Sequence, residues 1–273
     1  MKVAIVGVTG LVGNKISWLL EKRNFQIEEF IPIASDNSKG KKYLFRNDTY
    51  NIESIEDLIN NYNNKNQKII IFFASTKEVS RHWIPIILDL NKNAWIIDNS
   101  SEYRMKSDIP LVVPEINSSV INTKTRLIAN PNCSTAQLVM VLYPLHQNYK
   151  IKRIVVSTYQ SVSGAGYKGS NQLYKERKEQ FLNELFSESD FSIFKTKIDL
   201  NCIPLCDYLD NETGYTGEEL KIEKETPKIL DDNNIKITAT AVRVPVTGGH
   251  SESVNIEFEK DYGTFDINIQ DGT

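Results

Sequence analysis

The chain of 273 residues carries 32 Lys and Arg against 35 Asp and Glu, a formal net charge of -3, with 40% apolar and 25% charged residues. That length supports one large or two modest domains with a true core, and the balanced charge excludes an electrostatic nucleic-acid binder or a basic membrane-surface helix. No apolar run reaches the roughly 20 residues of a membrane span, and residues 1–7 lack the form of a secretory signal.

Three cysteines (Cys133, Cys202, Cys206) and three histidines (His82, His146, His250) make neither a disulfide framework nor a zinc site. The expectation is a cytoplasmic protein with reduced thiols, no metal, no nucleic-acid partner and no membrane contact.

Lys2–Val6 reads as a compact strand rich in β-branched residues, and Leu11–Lys22 as a helix with Val12, Ile16, Leu19 and Leu20 on one face. Further strands are expected at 27–34, 69–73, 94–97 and 126–129. Continuous apolar strands separated by helices predict a parallel sheet covered on both faces. Residues 36–68, rich in Asn, Lys and Asp, read as surface structure. A helix is expected to start at Cys133 and run through Ala136, Leu138, Val139 and Leu142.

Beyond it the pattern changes. A strand at 154–160 precedes a glycine-rich loop at 164–169 and a long charged helix at 170–186. Residues 236–246 and 253–258 then alternate with period two, which suits a mixed or antiparallel sheet with one covered face. The fold class expected is therefore α/β: an N-terminal Rossmann-like parallel sheet over residues 1–133, then an α+β domain with a mixed sheet over 134–273.

Gly7-Val8-Thr9-Gly10-Leu11-Val12-Gly13 follows the first strand and opens the first helix. Such glycines permit a tight turn, and a helix N-terminus offers unpaired N–H groups to a pyrophosphate. After the second strand, Ser35 and Ser38 with Lys39, Lys41 and Lys42 favour a 2′-phosphate and hence NADP, against which Asp36 argues. Cys133 has two readings on placement alone: a packed thiol, or a nucleophile whose thiolate form a helix N-terminus favours.

Several blocks follow one another in a fixed order: the glycine loop; Asp98-Asn99-Ser100-Ser101 with Arg104; Val112-Val113-Pro114-Glu115; Asn130-Pro131-Asn132-Cys133-Ser134-Thr135; Gln160 with Ser163-Gly164-Ala165-Gly166; Gly214-Tyr215-Thr216 with Glu218 through Lys221; and Arg243-Val244-Pro245-Val246 with Gly249-His250-Ser251. In these blocks and their order the chain resembles the aspartate-β-semialdehyde dehydrogenases. The resemblance implies a Cys133 nucleophile that forms a thioester, His250 as acid/base and Gln160 orienting the substrate. It further implies Arg243 on the substrate carboxylate, Glu218 on its amino group, Arg104 and Lys221 on phosphate, and Asn132 at the substrate. Gly7, Thr9, Gly10, Leu11, Val12, Gly13, Ser35, Ser38, Ser75, Ser163 and Gly164 are the implied NADP contacts.

The implied reaction is NADPH-dependent reductive dephosphorylation of 4-phospho-L-aspartate to L-aspartate 4-semialdehyde. It feeds threonine, methionine, isoleucine, lysine and diaminopimelate biosynthesis, and the implied assembly is a homodimer. Asn37 stands where such enzymes carry a basic residue. The tail at 261–273 has no apolar segment to serve as the C-terminal helix the resemblance implies, so the second domain is expected to lack that segment. The competing readings are an N-acetyl-glutamyl-phosphate reductase-like enzyme and a truncated, non-catalytic dinucleotide-binding relative. By spacing alone, Glu218 and Lys221 (i, i+3) read as an exposed helix face.

Overall fold

The computed structural model describes residues 1–62, 67–182 and 193–262. The chain divides into two compact units, Met1–Pro131 and Asn132–Thr273.

The first unit is built on β1 (Lys2–Val6), β2 (Glu29–Ile33), β5 (Ile69–Phe73), β6 (Ala94–Asp98) and β7 (Leu127–Ala129), all parallel in the order β2-β1-β5-β6-β7. One face packs Ile31, Ile33, Val6, Ile71 and Phe73 against α2 (Ile55–Tyr62) and α3 (Lys77–Leu90). The other packs Val3, Ile5 and Phe30 against α1 (Leu11–Lys22) and the hairpin β3 (Lys42–Phe45)–β4 (Asp48–Asn51). Phe30 and Phe45 stack there with centroids 4.0 Å apart, a geometry that adds to area burial. The strand order reverses beside β1, so the β1–α1 loop lies at the switch point where such sheets bind ligands. A short helix α4 (Pro114–Asn117) follows β6.

Residues 36–62, expected as surface, contain that hairpin and α2. Their polar bias hides Phe45, Ile52, Ile55 and Leu58, which are buried. The second strand is shorter than the expected 27–34 and contains Pro32. Proline is tolerated because β2 is an edge strand, where one side needs no ladder donor.

The second unit holds α5 (Cys133–Tyr149), β8 (Ile151–Ser161), α6 (Gly166–Leu182), α7 (Gly217–Leu230), β9 (Lys236–Val244) and β10 (Ser251–Phe258). The sheet order is β10-β8-β9, with β8 parallel to β9 and antiparallel to β10, so it is mixed. Helices α5 and α7 pack against the sheet and against each other. The outward residues Ser157, Thr238, Thr240, Ser251 and Ser253 are half-buried or exposed, with Tyr159 47% exposed among them.

The glycine-rich stretch 164–169 is not a loop. A 3-10 turn spans Val162–Ala165, and α6 starts at Gly166, four residues earlier than expected. Glycine is a weak helix former, but Gly169 is needed for packing: a Cβ there would lie 2.4 Å from the Val162 carbonyl oxygen. The end expected for that helix, 183–186, and the tail 263–273 lie outside the described residues.

Strand register prepares the site. Gln160 of β8 pairs with Arg243 of β9, and Tyr159 pairs with Ser251 of β10, so His250 stands level with Gln160. Arg243, Gln160 and His250 therefore form one row across three strands.

Candidate functional site

Cys133 opens α5, and Asn132 is its N-cap. The Asn132 side-chain oxygen accepts from the Ser134 N–H at 2.9 Å and the Thr135 N–H at 3.2 Å, which satisfies two end donors of the helix. The exposed thiol thus sits at the positive end of a 17-residue helix, where negative charge is favoured.

His250 faces it, with Nε2 3.2 Å from Cys133 Sγ. Its other ring nitrogen, Nδ1, accepts the Ser161 N–H at 3.0 Å. A nitrogen that accepts carries a lone pair, so the neutral ring holds its proton on Nε2, towards the sulfur. Burial lowers the His250 pKa below its usual value and the Arg243 charge adds to this, while Glu218 and the Gly249 carbonyl act in the opposite sense. The ring is thereby kept neutral near physiological pH.

Gln160 is buried behind the nucleophile. Its Nε2 lies within reach of Ser134 Oγ (3.1 Å), Thr158 Oγ1 (3.3 Å) and Glu218 Oε1 (3.3 Å). Glu218 accepts from Asn132 Nδ2 at 2.7 Å and pairs with Lys221 at 3.0 Å. Burial opposes its ionisation, but the Lys221 ammonium and the Asn132 bond outweigh that and hold its pKa below the usual carboxylate range. The exposed-face reading of these two residues is therefore corrected: Glu218 is 7% exposed and Lys221 is half-buried. The N-terminus of α7 is docked inward, since the Glu218 N–H bonds the Cys206 carbonyl and the Gly217 N–H bonds the Tyr208 carbonyl.

Arg243, 8% exposed, donates from Nη1 to the Ser161 carbonyl at 2.7 Å. Gly164 lies directly against it: a Cβ at 164 would sit 2.8 Å from Arg243 Nη1 and 3.4 Å from His250 Cε1. Ser163 Oγ donates to the Gly248 carbonyl at 2.9 Å and so ties the 3-10 turn to the turn that carries His250. The structure thus gathers Asn132, Cys133, Gln160, Ser163, Gly164, Glu218, Lys221, Arg243 and His250 within one unit.

Two residues of this cluster have no counterpart in the motifs. Asp207 pairs with Lys221 at 2.8 Å and has a left-handed backbone, φ 76°. Glu225 accepts the Asn132 N–H at 2.7 Å. The second was within reach of sequence, because it falls seven residues after Glu218 and hence on the same helix face.

Arg104 belongs to the first unit, where it is buried and its Nη2 donates to the Asn99 carbonyl at 2.8 Å. In the same unit the Gly7 and Val8 N–H groups both bond the Ile33 carbonyl. Gly7 has φ +87°, and a Cβ on it would lie 2.4 Å from the Ala74 carbonyl oxygen. Helix α1 begins after Gly10 without a side-chain cap. Thr9 and Val12 are exposed, Gly10 and Leu11 half-buried, and Gly13 buried.

Beside the loop, the Ser75 hydroxyl is buried with no partner among the described residues. An uncapped helix end, a glycine turn and an unsatisfied hydroxyl fit a dinucleotide pyrophosphate. Ser35 is exposed and Ser38 half-buried at the end of β2. Lys39 is drawn to Asp57 at 2.6 Å, so it is not free to replace the basic residue missing at Asn37.

Comparison with known proteins matches residues 2–124 to the family model described as semialdehyde dehydrogenase, NAD binding domain, and residues 142–268 to semialdehyde dehydrogenase, dimerisation domain. The aspartate-semialdehyde dehydrogenase of Rickettsia bellii is 43% identical over 94% of this chain and 73% of its own length. That of Campylobacter jejuni is 41% identical over 95% of this chain and 74% of its own. The crystal structure of aspartate semialdehyde dehydrogenase II from Vibrio cholerae superposes with a TM-score of 0.87 at 38% identity, covering 96% of this chain and 75% of that one, and it has also been solved in complex with ASA.

Proposed function

The chain belongs to the aspartate-semialdehyde dehydrogenase family, and from that premise we propose that it interconverts 4-phospho-L-aspartate and L-aspartate 4-semialdehyde through a thioester on Cys133. The observation that carries this reading is the approach of Cys133 Sγ to His250 Nε2 at 3.2 Å, at a helix N-terminus and among Gln160, Glu218 and Arg243.

In the oxidative direction the thiolate adds to the aldehyde carbon, and negative charge moves to the aldehyde oxygen. His250 serves as the acid/base through Nε2, whose proton is held towards the reacting atoms by the Ser161 bond to Nδ1. Arg243 is assigned to the substrate carboxylate, where a planar fork makes two parallel bonds, and ionised Glu218 to the amino group. Gln160 orients the substrate at the sulfur. Lys221 is assigned to the phosphate that then attacks the thioester, and the resemblance gives Arg104 a phosphate-binding role as well.

A bound nicotinamide would supply the redox half of the reaction, as hydride acceptor in this direction and hydride donor in the other. Splitting the exchange at a thioester replaces one hard substitution by two easier steps.

We take the dinucleotide to be NADP, held at Gly7, Gly10, Gly13 and Ser75. Ser35, Ser38 and Lys41 are assigned to the 2′-phosphate. Lys41 is exposed and has no ion pair among the described residues, and its N–H is anchored on the Ser38 carbonyl. The assembly is taken as a homodimer through the open face of the mixed sheet. The compartment is taken as the cytoplasm, since none of the three cysteines is in a disulfide.

Turnover of aspartate semialdehyde with phosphate and either NADP or NAD tests this. Cys133→Ala is expected to lower kcat by roughly 10⁴-fold or more, and NADP to be preferred. Equal rates for the variant and the parent chain would sink the assignment of the nucleophile.

A further inference from the structure

Glu225 is the most deeply buried carboxylate on α7, 1% exposed. Carboxylates are almost never buried to this degree unless paired. One of its oxygens accepts the backbone N–H of Asn132 at 2.7 Å. Asn132 is the residue before the nucleophile, and every polar group of its side chain is engaged as well: Nδ2 donates to Glu218, and Oδ1 accepts the Ser134 and Thr135 N–H groups. Glu218 and Glu225 stand two turns apart on one face of α7, so one helix grips Asn132 by side chain and by backbone. The carboxyl group also lies beside the positive end of α5.

We propose that Glu225 is a positioning residue for Cys133. Its carboxylate fixes the Asn132 amide and therefore the first turn of α5, so that Sγ falls against His250 Nε2. This rests on the reading of Cys133 as the nucleophile. Glu225 touches no reacting atom in this account, and it acts through Asn132.

Two substitutions separate the hydrogen bond from mere folding. Glu225→Gln keeps an acceptor oxygen of the same reach, whereas Glu225→Leu removes it. For Glu225→Leu, kcat is expected to fall by about tenfold to a hundredfold with both KM values nearly unchanged. Alkylation of Cys133 by iodoacetamide, followed by peptide mass spectrometry, is expected to slow in parallel. Glu225→Gln is expected to restore both to within about threefold.

A folded Glu225→Leu with the parent kcat and alkylation rate overturns the proposal, as does a Glu225→Gln variant as impaired as the Leu one. Should Glu225→Leu not fold, amide exchange in the unaltered chain decides: strong protection of the Asn132 N–H is expected, and exchange as fast as in exposed loops overturns it. Alkylation needs no turnover, so an inactive parent chain would count against the proposed reaction and leave the Glu225 test standing.

Discussion

Glu252 is two residues from His250, and the mechanism makes no use of it. One of its oxygens is buried without a partner among the described residues, and burial pushes its pKa up to about 7 against the bond from Gln137. The folded state therefore holds a proton that the unfolded chain releases near pH 4.5. Stability contributed here is complete below that pH, falls as pH rises towards 7 and stays reduced above it. Glu252→Gln, which cannot ionise, is expected to stabilise the chain at pH 8 by on the order of 1–2 kcal/mol, a rise in Tm of about 3–6 °C. At pH 4.5 the two proteins should melt alike. A gain equal at both pH values would show that ionisation is not the cause. Residues of this kind were invisible in sequence, because nothing in Ser251-Glu252-Ser253 distinguishes a buried carboxylate from an exposed one on an alternating strand.

Among the elements, β1, α1 and β5 match the sequence reading residue for residue, because four or five apolar residues in a row or a 3.6-residue period leave few alternatives. The hairpin at 42–51 and helix α2 escaped it, since they are short, polar residues such as Asp48, Asn51, Asn60 and Asn61 fill much of their exposed surface, and Phe45, Ile55 and Leu58 are their fully buried apolar residues. The row of Gln160, Arg243 and His250 could be picked out as motifs but not as geometry. Spacing along the chain does not reveal that Gln160, Arg243 and His250 fall level, because that depends on the register of β8 with both neighbours. Glu218 and Lys221 misled for a related reason: their inward position follows from the docking of residues 206–208 onto α7.

The glycine loop was legible, and the structure adds a requirement at Gly13. A Cβ there would lie 2.2 Å from the Gly7 carbonyl oxygen and 2.7 Å from Val8 Cα. Both obstacles are backbone and cannot swing aside. Gly13→Ala is expected to cost roughly 1–3 kcal/mol, read as a lower Tm, and to raise KM for the nicotinamide cofactor while leaving Cys133 alkylation unaffected. An unchanged KM and Tm would mean the loop yields more easily than this packing allows.

At the scale of the whole chain each unit has its own core, and the two carry different parts of the task. The first holds the glycine loop, and the second holds the thiol, the imidazole and the residues proposed to anchor the substrate. The second also exposes Tyr159 on the central strand of its sheet, on a face that carries Ser157, Thr238, Thr240, Ser251 and Ser253 beside Val155 and Val242. Self-association through that face is expected to be broken by Tyr159→Arg, because a two-fold contact would bring two cations together. Sedimentation velocity should then show a dimer for the parent chain and a monomer for the variant; a variant that stays dimeric would place the contact elsewhere.

The strand that begins just after His250 has one more consequence. None of the eight residues of β10 is fully buried, and the strand lies at the edge of its sheet. Edges of this kind open locally at a free energy well below that of global unfolding. When the first rungs of β10 fray, His250 leaves the sulfur although both cores are still intact. Heat inactivation of this protein is thus a gauge of one strand end, and it should set in several degrees before any optical sign of melting.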